Sequence, residues 1–325
     1  MRILTLTNEQ VLALADMRGA VEELHKAFLI PADQVESPVR TRFRVTGVRN
    51  VLLMPSFIRG GRDAVALKLV SAYPDLGGSV PSIRAVVVLV DGGDGDVKCL
   101  MGGTSLTALR TGAVSGLSCR YLARRNSEAL AMIGAGGQGF FQVSGVASQL
   151  GIRRVSVFDV DEGRRKRLAE RCERELHLEA TVARTVREAT SGADVVVTAT
   201  TAKEPLLDAG DVRPGTHVVA IGAYTPDARE LGSALVGKAS LYVDSVEAAL
   251  EEAGDLVIPM GEGAISRASI RGELSDLVSS RVAGRTSESE ITVFKAVGLA
   301  FEDNAVGWMV YSRAVEAGVG GWTEL

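Results

Sequence analysis

Apolar positions change their spacing several times along the chain, and each change marks a different kind of element. Residues 8–29 carry Val21, Leu24 and Phe28 at helical spacings of three and four, behind a Thr7-x-x-Gln10 capping box, and predict a helix. From residue 40 to 100 the pattern becomes that of strands: TRFRV, NVLLMP, AVALKLVSAY, IRAVVVLVD and VKCLM. Glycine-rich turns at 60–61, 76–79 and 92–95 separate them, so this part predicts an antiparallel or mixed sheet. Residues 104–124, TSLTALRTGAVSGLSCRYLAR, are rich in small side chains and read as a helix.

From residue 129 the rhythm is regular. The strand ALAMIG (129–134) precedes a helix to about residue 150, then RVSVFD (154–159), a helix EGRRKRLAERCERE, EATVA and a short helix. DVVVTAT (194–200), HVVAIG (217–222) and SLYVDS (240–245) add three more strands. Such alternation predicts a parallel sheet covered on both faces. Ser287-x-x-Glu290 reads as a second capping box. It predicts a long helix to about Gly318, with Val293, Phe294, Val297, Phe301, Trp308 and Tyr311 near one stripe. The fold class is therefore α/β: a Rossmann dinucleotide-binding domain at 125–289, and a discontinuous α+β domain at 1–124 to which 290–325 returns.

Composition narrows the classes of function. A chain of 325 residues suits two domains, and 46% hydrophobic with 23% charged residues is an ordinary soluble-enzyme profile. A net charge of −4 gives no electrostatic reason to expect nucleic acid or an anionic membrane as partner. No apolar run approaches the roughly 20 residues that span a bilayer, and MRILTLTNEQ lacks the apolar core of a secretory signal. Cys99, Cys119 and Cys172 are odd in number and far apart, which fits a reducing cytoplasm. His25, His177 and His217 form no metal-ligand spacing and read as structural or surface residues.

The sharpest chemical signal is MIGAGGQGFFQ at 132–142. It sets Gly134, Gly136 and Gly139 in G-x-G-x-x-G between a strand and a helix, with Gly137 and Gln138 in the same loop. Gly134 makes the tight turn, Gly136 admits a pyrophosphate, and Gly139 allows close helix–strand packing. Asp159, twenty residues beyond Gly139 at the end of the next strand, suits a ribose diol and favours NAD. Arg164, Arg165, Lys166 and Arg167 follow it and keep NADP open. Thr198-Ala-Thr200 and Ile221-Gly222-Ala223, at the ends of later strands, are expected to line the cofactor cleft.

Three cations stand in apolar or small-residue settings: Arg40 after SPV, Lys68 in VALKLVS and Arg110 in TALRTGA. A lysine inside an apolar strand is costly unless paired. Lys68 reads as an ion pair or as a contact to a substrate anion. Arg40, with Arg42, Arg44 and Arg49 nearby, is open between a solvated face and a binding role.

These stretches resemble the ornithine cyclodeaminase and mu-crystallin family over nearly the full length. The matching segments are SPVRT (37–41), LMPSF (53–57), LKLVSAYP (67–74), residues 103–124, IGAGGQG (133–139), and GELSDLVSSRVAGRTSESEITVFKAVGLAFED (272–303). The resemblance implies a Rossmann domain plus a dimerisation domain, hence a homodimer, and a small amino- or imino-acid substrate. It places Arg40, Lys68 and Arg110 around the substrate carboxylate, and Ser82, Gln138, Asp159 and Thr200 against the nucleotide. Two positions depart from the cyclodeaminase pattern. Tyr224 stands where those enzymes carry an aspartate, with Asp227 three residues on, and Leu52 stands where they carry an acid. A phenol, titrating near ~10, is a poor base at neutral pH, and a leucine cannot hold a substrate ammonium group.

The resulting expectation is an NAD(P)H-dependent reductase of cyclic or linear imino acids, such as pyrroline-2-carboxylate or piperideine-2-carboxylate. Lys68 and Tyr224 are its candidates for proton transfer. The alternatives are an alanine-type amino-acid dehydrogenase, an ornithine cyclodeaminase, and a non-catalytic crystallin-like binding protein.

Overall fold

A computed structural model describes residues 1–60, 63–73 and 83–325. The chain forms two compact units, Met1–Arg110 with Leu299–Leu325, and Thr111–Gly298. In the first, β1 (Arg2–Leu6) leads to α1 (Asn8–Leu14) and α2 (Met17–Phe28). The Thr7–Gln10 capping box forms in both directions. The single helix expected over 8–29 is divided, because Asp16 accepts from the Gly19 N–H at 2.7 Å and caps a new helix.

There follow β2 (Val35–Glu36), β3 (Thr41–Thr46), β4 (Arg49–Ile58), β5 (Ala64–Ala72), β6 (Ile83–Asp91) and β7 (Val97–Gly102). Pairing along β4–β5–β6–β7 is antiparallel. Side chains alternate across such a sheet. One face buries Leu52 and Met54 of β4, Ala66, Lys68 and Val70 of β5, Val87 and Leu89 of β6, and Met101 of β7. Next comes α3 (Gly103–Leu122), inside which the division between the units falls.

The second unit is the parallel sheet. Its strands are β8 (Ala129–Ile133), β9 (Arg154–Phe158), β10 (Glu179–Val182), β11 (Val195–Thr198), β12 (His217–Ala220), β13 (Ser240–Val243), β14 (Ile270–Glu273) and β15 (Thr292–Lys295). The order is β10-β9-β8-β11-β12-β15-β13-β14. Helices α4 (Gly139–Gln149), α5 (Glu162–Leu176), α6 (Val186–Thr190), α7 (Ser233–Lys238), α8 (Val246–Glu252), α9 (Gly254–Gly261) and α10 (Leu274–Val278) connect the strands. Strand order reverses between β8 and β11, the switch point at which a Rossmann sheet opens its ligand crevice. His217 is fully buried on β12, and burial pushes its imidazole down to about 3, so it packs as a neutral residue.

The helix expected from Ser287 does not begin there. Residues 292–295 are instead β15, fully buried between β12 and β13. Thr-Val-Phe-Lys suits a pleated, buried position, and a continuous apolar run does not distinguish strand from helix by period. Glu290 also does not close a capping box: it binds Ser240, Arg271 and the Thr286 N–H. Gly298, at φ +85, turns the chain into α11 (Ala300–Ala317). The return to the first unit thus starts at Leu299. There α11 lies against β4, β5 and β6, and β16 (Gly321–Glu324) adds an edge strand beside β1. Among the described residues no helix is long and apolar enough to cross a membrane.

Candidate active site

In the first unit, the alternation of β5 aims Lys68 inward, between Met54 of β4 and Val87 of β6 in the sheet register. Its side chain is only 2% exposed, and Nζ donates to Asp303 Oδ2 at 2.5 Å. Arg110 of α3 reaches the same carboxylate: Nε donates to Asp303 Oδ1 at 3.2 Å and Nη1 to Glu302 Oε2 at 2.7 Å. Both acids lie in the first turn of α11, where unsatisfied N–H groups favour negative charge. Asn304 beside them donates to the carbonyls of Ser56 at 3.3 Å and Ala64 at 2.9 Å, tying that turn to β4 and β5.

Burial pushes the Lys68 ammonium down to about 8; Asp303 opposes the shift, and Arg110 and Arg40 add to it. Burial also works against ionisation of Asp303, but Arg110 and Lys68 outweigh it and hold that carboxyl below its usual range. Arg40, half-buried before β3, is close enough to act on Lys68 electrostatically. The structure therefore joins Lys68 and Arg110 through Asp303, with Arg40 within electrostatic range of Lys68, and Lys68 has the ion pair that its apolar strand demands. Leu52 is buried on the same face as Lys68, in an apolar cluster with Met54, Val70 and Ala300.

In the second unit, the candidate nucleotide residues gather along the carboxyl ends of β8, β9, β11 and β12. Gly134 turns at φ +105, and a Cβ there would stand 2.6 Å from the Ala199 carbonyl oxygen. Gly139 packs α4 down, since a Cβ would meet Leu168 at 2.8 Å and the Gly134 oxygen at 3.0 Å. Gly136 and Gly137 face open space instead, so the backbone between the two tight glycines is accessible. Gln138 precedes α4 and its side chain makes no capping bond, so it does not block the start of that helix from an anion.

Asp159 is oriented by backbone: Oδ2 accepts from Ala135 N at 2.7 Å and Oδ1 from Asp161 N at 2.9 Å. Each oxygen keeps a further lone pair for a hydroxyl. Of the downstream cations, Arg164 pairs with Asp161 at 3.6 Å, Lys166 pairs with Glu162 at 2.8 Å, and Arg165 donates to the Ala183 carbonyl at 2.8 Å. The loop fits a dinucleotide by this test: two glycines close the turn and two leave it open above a helix N-terminus.

Thr200 and Ile221 lie just past β11 and β12, and the Ile221 N–H donates to Thr198 O at 3.0 Å. Tyr224 is half-buried three residues further on, and Asp227 is exposed. Ser82 lies outside the described residues.

Sequence reasoning assigned no role to Asp303 and Glu302. The signal was present, because adjacent acids in the apolar helix AFEDNAVGW raise the same question as Lys68 in its strand. It also passed over the buried acids Glu230 and Asp255 and the buried Lys295, which sit 0% exposed in the second unit.

A model of the ornithine cyclodeaminase/mu-crystallin family matches residues 2–318. A Delta(1)-pyrroline-2-carboxylate reductase of Bacillus cereus is 36% identical over 293 residues, covering 89% of each chain. Among solved structures, the Delta(1)-pyrroline-2-carboxylate reductase of Thermococcus litoralis, in complex with NADH and L-proline, superposes with a TM-score of 0.95 at 38% identity, covering 99% of this chain and 100% of that one. An archaeal alanine dehydrogenase dimer with bound NAD superposes at 0.93 with 31% identity, covering 100% of both chains.

Proposed function

The chain belongs to the ornithine cyclodeaminase/mu-crystallin family, and from that premise we propose that it is an NAD(H)-dependent reductase of cyclic or linear imino acids of the pyrroline-2-carboxylate kind. The observation that carries this reading is Leu52. The position beside Met54 on the Lys68 face carries Leu52 in an apolar cluster, so it offers no carboxylate to the second ammonium group of ornithine or lysine, while Asp303 and Glu302 are already engaged by Lys68 and Arg110.

When bound, NADH supplies the hydride for the C=N carbon. Lys68 and Arg110, with Arg40, bind the substrate carboxylate and orient the imine. Asp303 and Glu302 hold the first two cations in place. Reduction also adds one proton at nitrogen. A substrate that arrives as an iminium ion already carries it. For a neutral imine, Lys68 holds a transferable proton at neutral pH because burial brings it to about 8. Tyr224 is the second candidate donor. Asp159 supports NAD over NADP, since a carboxylate repels a 2′-phosphate and three of the four following cations are engaged elsewhere.

We assign the functional unit as a homodimer. The face of the first sheet opposite Lys68 is apolar in two cross-strand rows, Leu53–Leu69–Val86 and Leu67–Val88–Leu100. Leu69 is 38% and Leu100 41% exposed, and a second copy of this face would cover both. The three buried free cysteines suit the cytoplasm.

The test is oxidation of NADH and NADPH with pyrroline-2-carboxylate, piperideine-2-carboxylate, and pyruvate plus ammonia, beside NAD-dependent proline release from ornithine. The expected result is turnover of a cyclic imine with NADH preferred. Proline release from ornithine at a comparable rate would overturn it, and turnover of pyruvate plus ammonia alone would assign an alanine-type dehydrogenase.

The Lys68 ammonium has a further consequence for pH. It is charged below about 8 and neutral above. Cyclopentanecarboxylate carries the substrate's anion without a titrating nitrogen. Its inhibition constant should be flat below pH ~8 and rise above it, by up to about tenfold per unit, towards a plateau set by the two arginines. A constant unchanged across that range would remove Lys68 from the carboxylate site.

A further inference from the structure

Glu230 is fully buried, yet it carries four hydrogen bonds that converge on two neighbouring strand ends. Oε1 accepts from the Thr200 N–H at 2.7 Å and the Thr200 hydroxyl at 2.8 Å. Oε2 accepts from the Gly222 N–H at 2.7 Å and the Thr198 hydroxyl at 3.0 Å. One oxygen therefore serves the loop after β11, and the other joins the end of β11 to the loop after β12. Glu230 is itself anchored. Asp255 Oδ1 accepts from the Glu230 and Leu231 N–H groups at 2.6 and 2.9 Å, and its Oδ2 pairs with Lys295 at 2.8 Å. Lys295 Nζ then donates to the Ala223 carbonyl at 2.5 Å, which closes the network back on the loop after β12. Burial and the adjacent Asp255 both favour protonating Glu230, so the carboxylate is costly to keep, and four donors are spent on keeping it.

A dinucleotide lies across the carboxyl ends of such a sheet, one mononucleotide to each half. The adenine half belongs with β8 and β9, where the glycine loop and Asp159 are. The nicotinamide half belongs with β11 and β12, the two ends that Glu230 ties together. We propose that Glu230 is a positioning residue for the nicotinamide half of the cofactor: it fixes the backbone at Thr200 and Gly222, and Asp255 and Lys295 hold it in place to do so. The inference rests on the reading of this chain as an NAD(H)-dependent enzyme.

Glu230→Gln is a sharp probe. Each carboxylate oxygen takes one backbone N–H, so neither orientation of an amide satisfies both. One strand end must lose its acceptor and face an NH₂ group. Wild-type protein is first titrated with NADH, followed by nicotinamide fluorescence, and with ADP-ribose, which lacks that ring. In E230Q the Kd for NADH is expected to rise about tenfold, with the Kd for ADP-ribose within about twofold. Equal weakening of both ligands would mean a general loosening of the unit and would overturn the proposal. So would an unchanged NADH affinity. Should E230Q not fold, Thr198→Val decides. It is isosteric, its side chain is buried on β11, and it removes a single donor to Glu230. There the NADH Kd is expected to rise about threefold with ADP-ribose unaffected, and no change would sink the idea. Wild-type protein that binds neither ligand would instead refute the cofactor reading itself.

Discussion

Replacing Lys68 with methionine is expected to lower kcat/KM for the imino acid by about a thousandfold, with the Kd for NADH unchanged. Removing one partner of a buried, hydrogen-bonded charge pair costs about 2–5 kcal/mol, much of it from the charge left behind. On the proposed reading the substitution removes a cation from the carboxylate site, and among the described residues it leaves Asp303 paired with Arg110. Loss of stability and loss of catalysis must then be told apart. Asp303→Asn in the same chain removes the stranded charge. The double variant Lys68→Met/Asp303→Asn should recover much of the thermal stability and none of the activity. Recovery of wild-type kcat/KM in that double variant would mean that Lys68 serves only to neutralise Asp303. Methionine is chosen because it fills the space between Met54 and Val87 with an apolar chain of similar length.

The reasons Lys68 could be found in the sequence, and Asp303 could not, are physical. A single charge in a strand of Val, Ala and Leu breaks a period-two pattern, and a broken pattern is visible along a line of residues. Its partner comes from α11, more than two hundred residues on, and only the fold shows that the two meet. Most of the parallel sheet was legible for a different reason: β8, β9, β11, β12 and β13 are apolar runs of strand length within an alternation of strand and helix patterns. β15 was not, since Thr292–Lys295 runs into an apolar stretch that continues through α11, and the helical stripe read over both. The glycine loop was legible because its geometry is local. The Glu230 network was not, because its members lie at 198–200, 222–223, 230, 255 and 295 and no local rule connects them.

Small residues can also be read locally without revealing their purpose, and Gly145 makes that testable. In most exposed helices Gly→Ala stabilises by about 1 kcal/mol, from helix propensity and unfolded-state entropy. At Gly145 of α4 the sign should reverse. A methyl group there would land on the carbonyl oxygen of Gly112 in α3, and one at Gly116 would land on the Gly145 carbonyl. The two helices approach backbone to backbone, which is why TGAVSG in α3 and VSGVAS in α4 must both be small. Neither carbonyl can rotate away without leaving its own helix. Overpacking typically costs about 1–3 kcal/mol; a clash this close with a backbone carbonyl stands at the upper end of that range, and Gly145→Ala is expected to lower Tm by about 6–12 °C. Gly145→Val should leave little folded protein. Gly261, the last residue of α9, meets no atom within 4 Å of a built Cβ, so Gly261→Ala serves as the control and should change Tm little. Because α4 begins at Gly139, directly after the glycine loop, a displaced α4 also displaces the N–H groups proposed to face the cofactor phosphates. Gly145→Ala is thus expected to weaken NADH and ADP-ribose together, where Glu230→Gln weakens NADH alone. A Gly145→Ala protein as stable as the wild type would show that the helices can separate freely, and the tight α3–α4 contact would then have no part in holding the nucleotide loop.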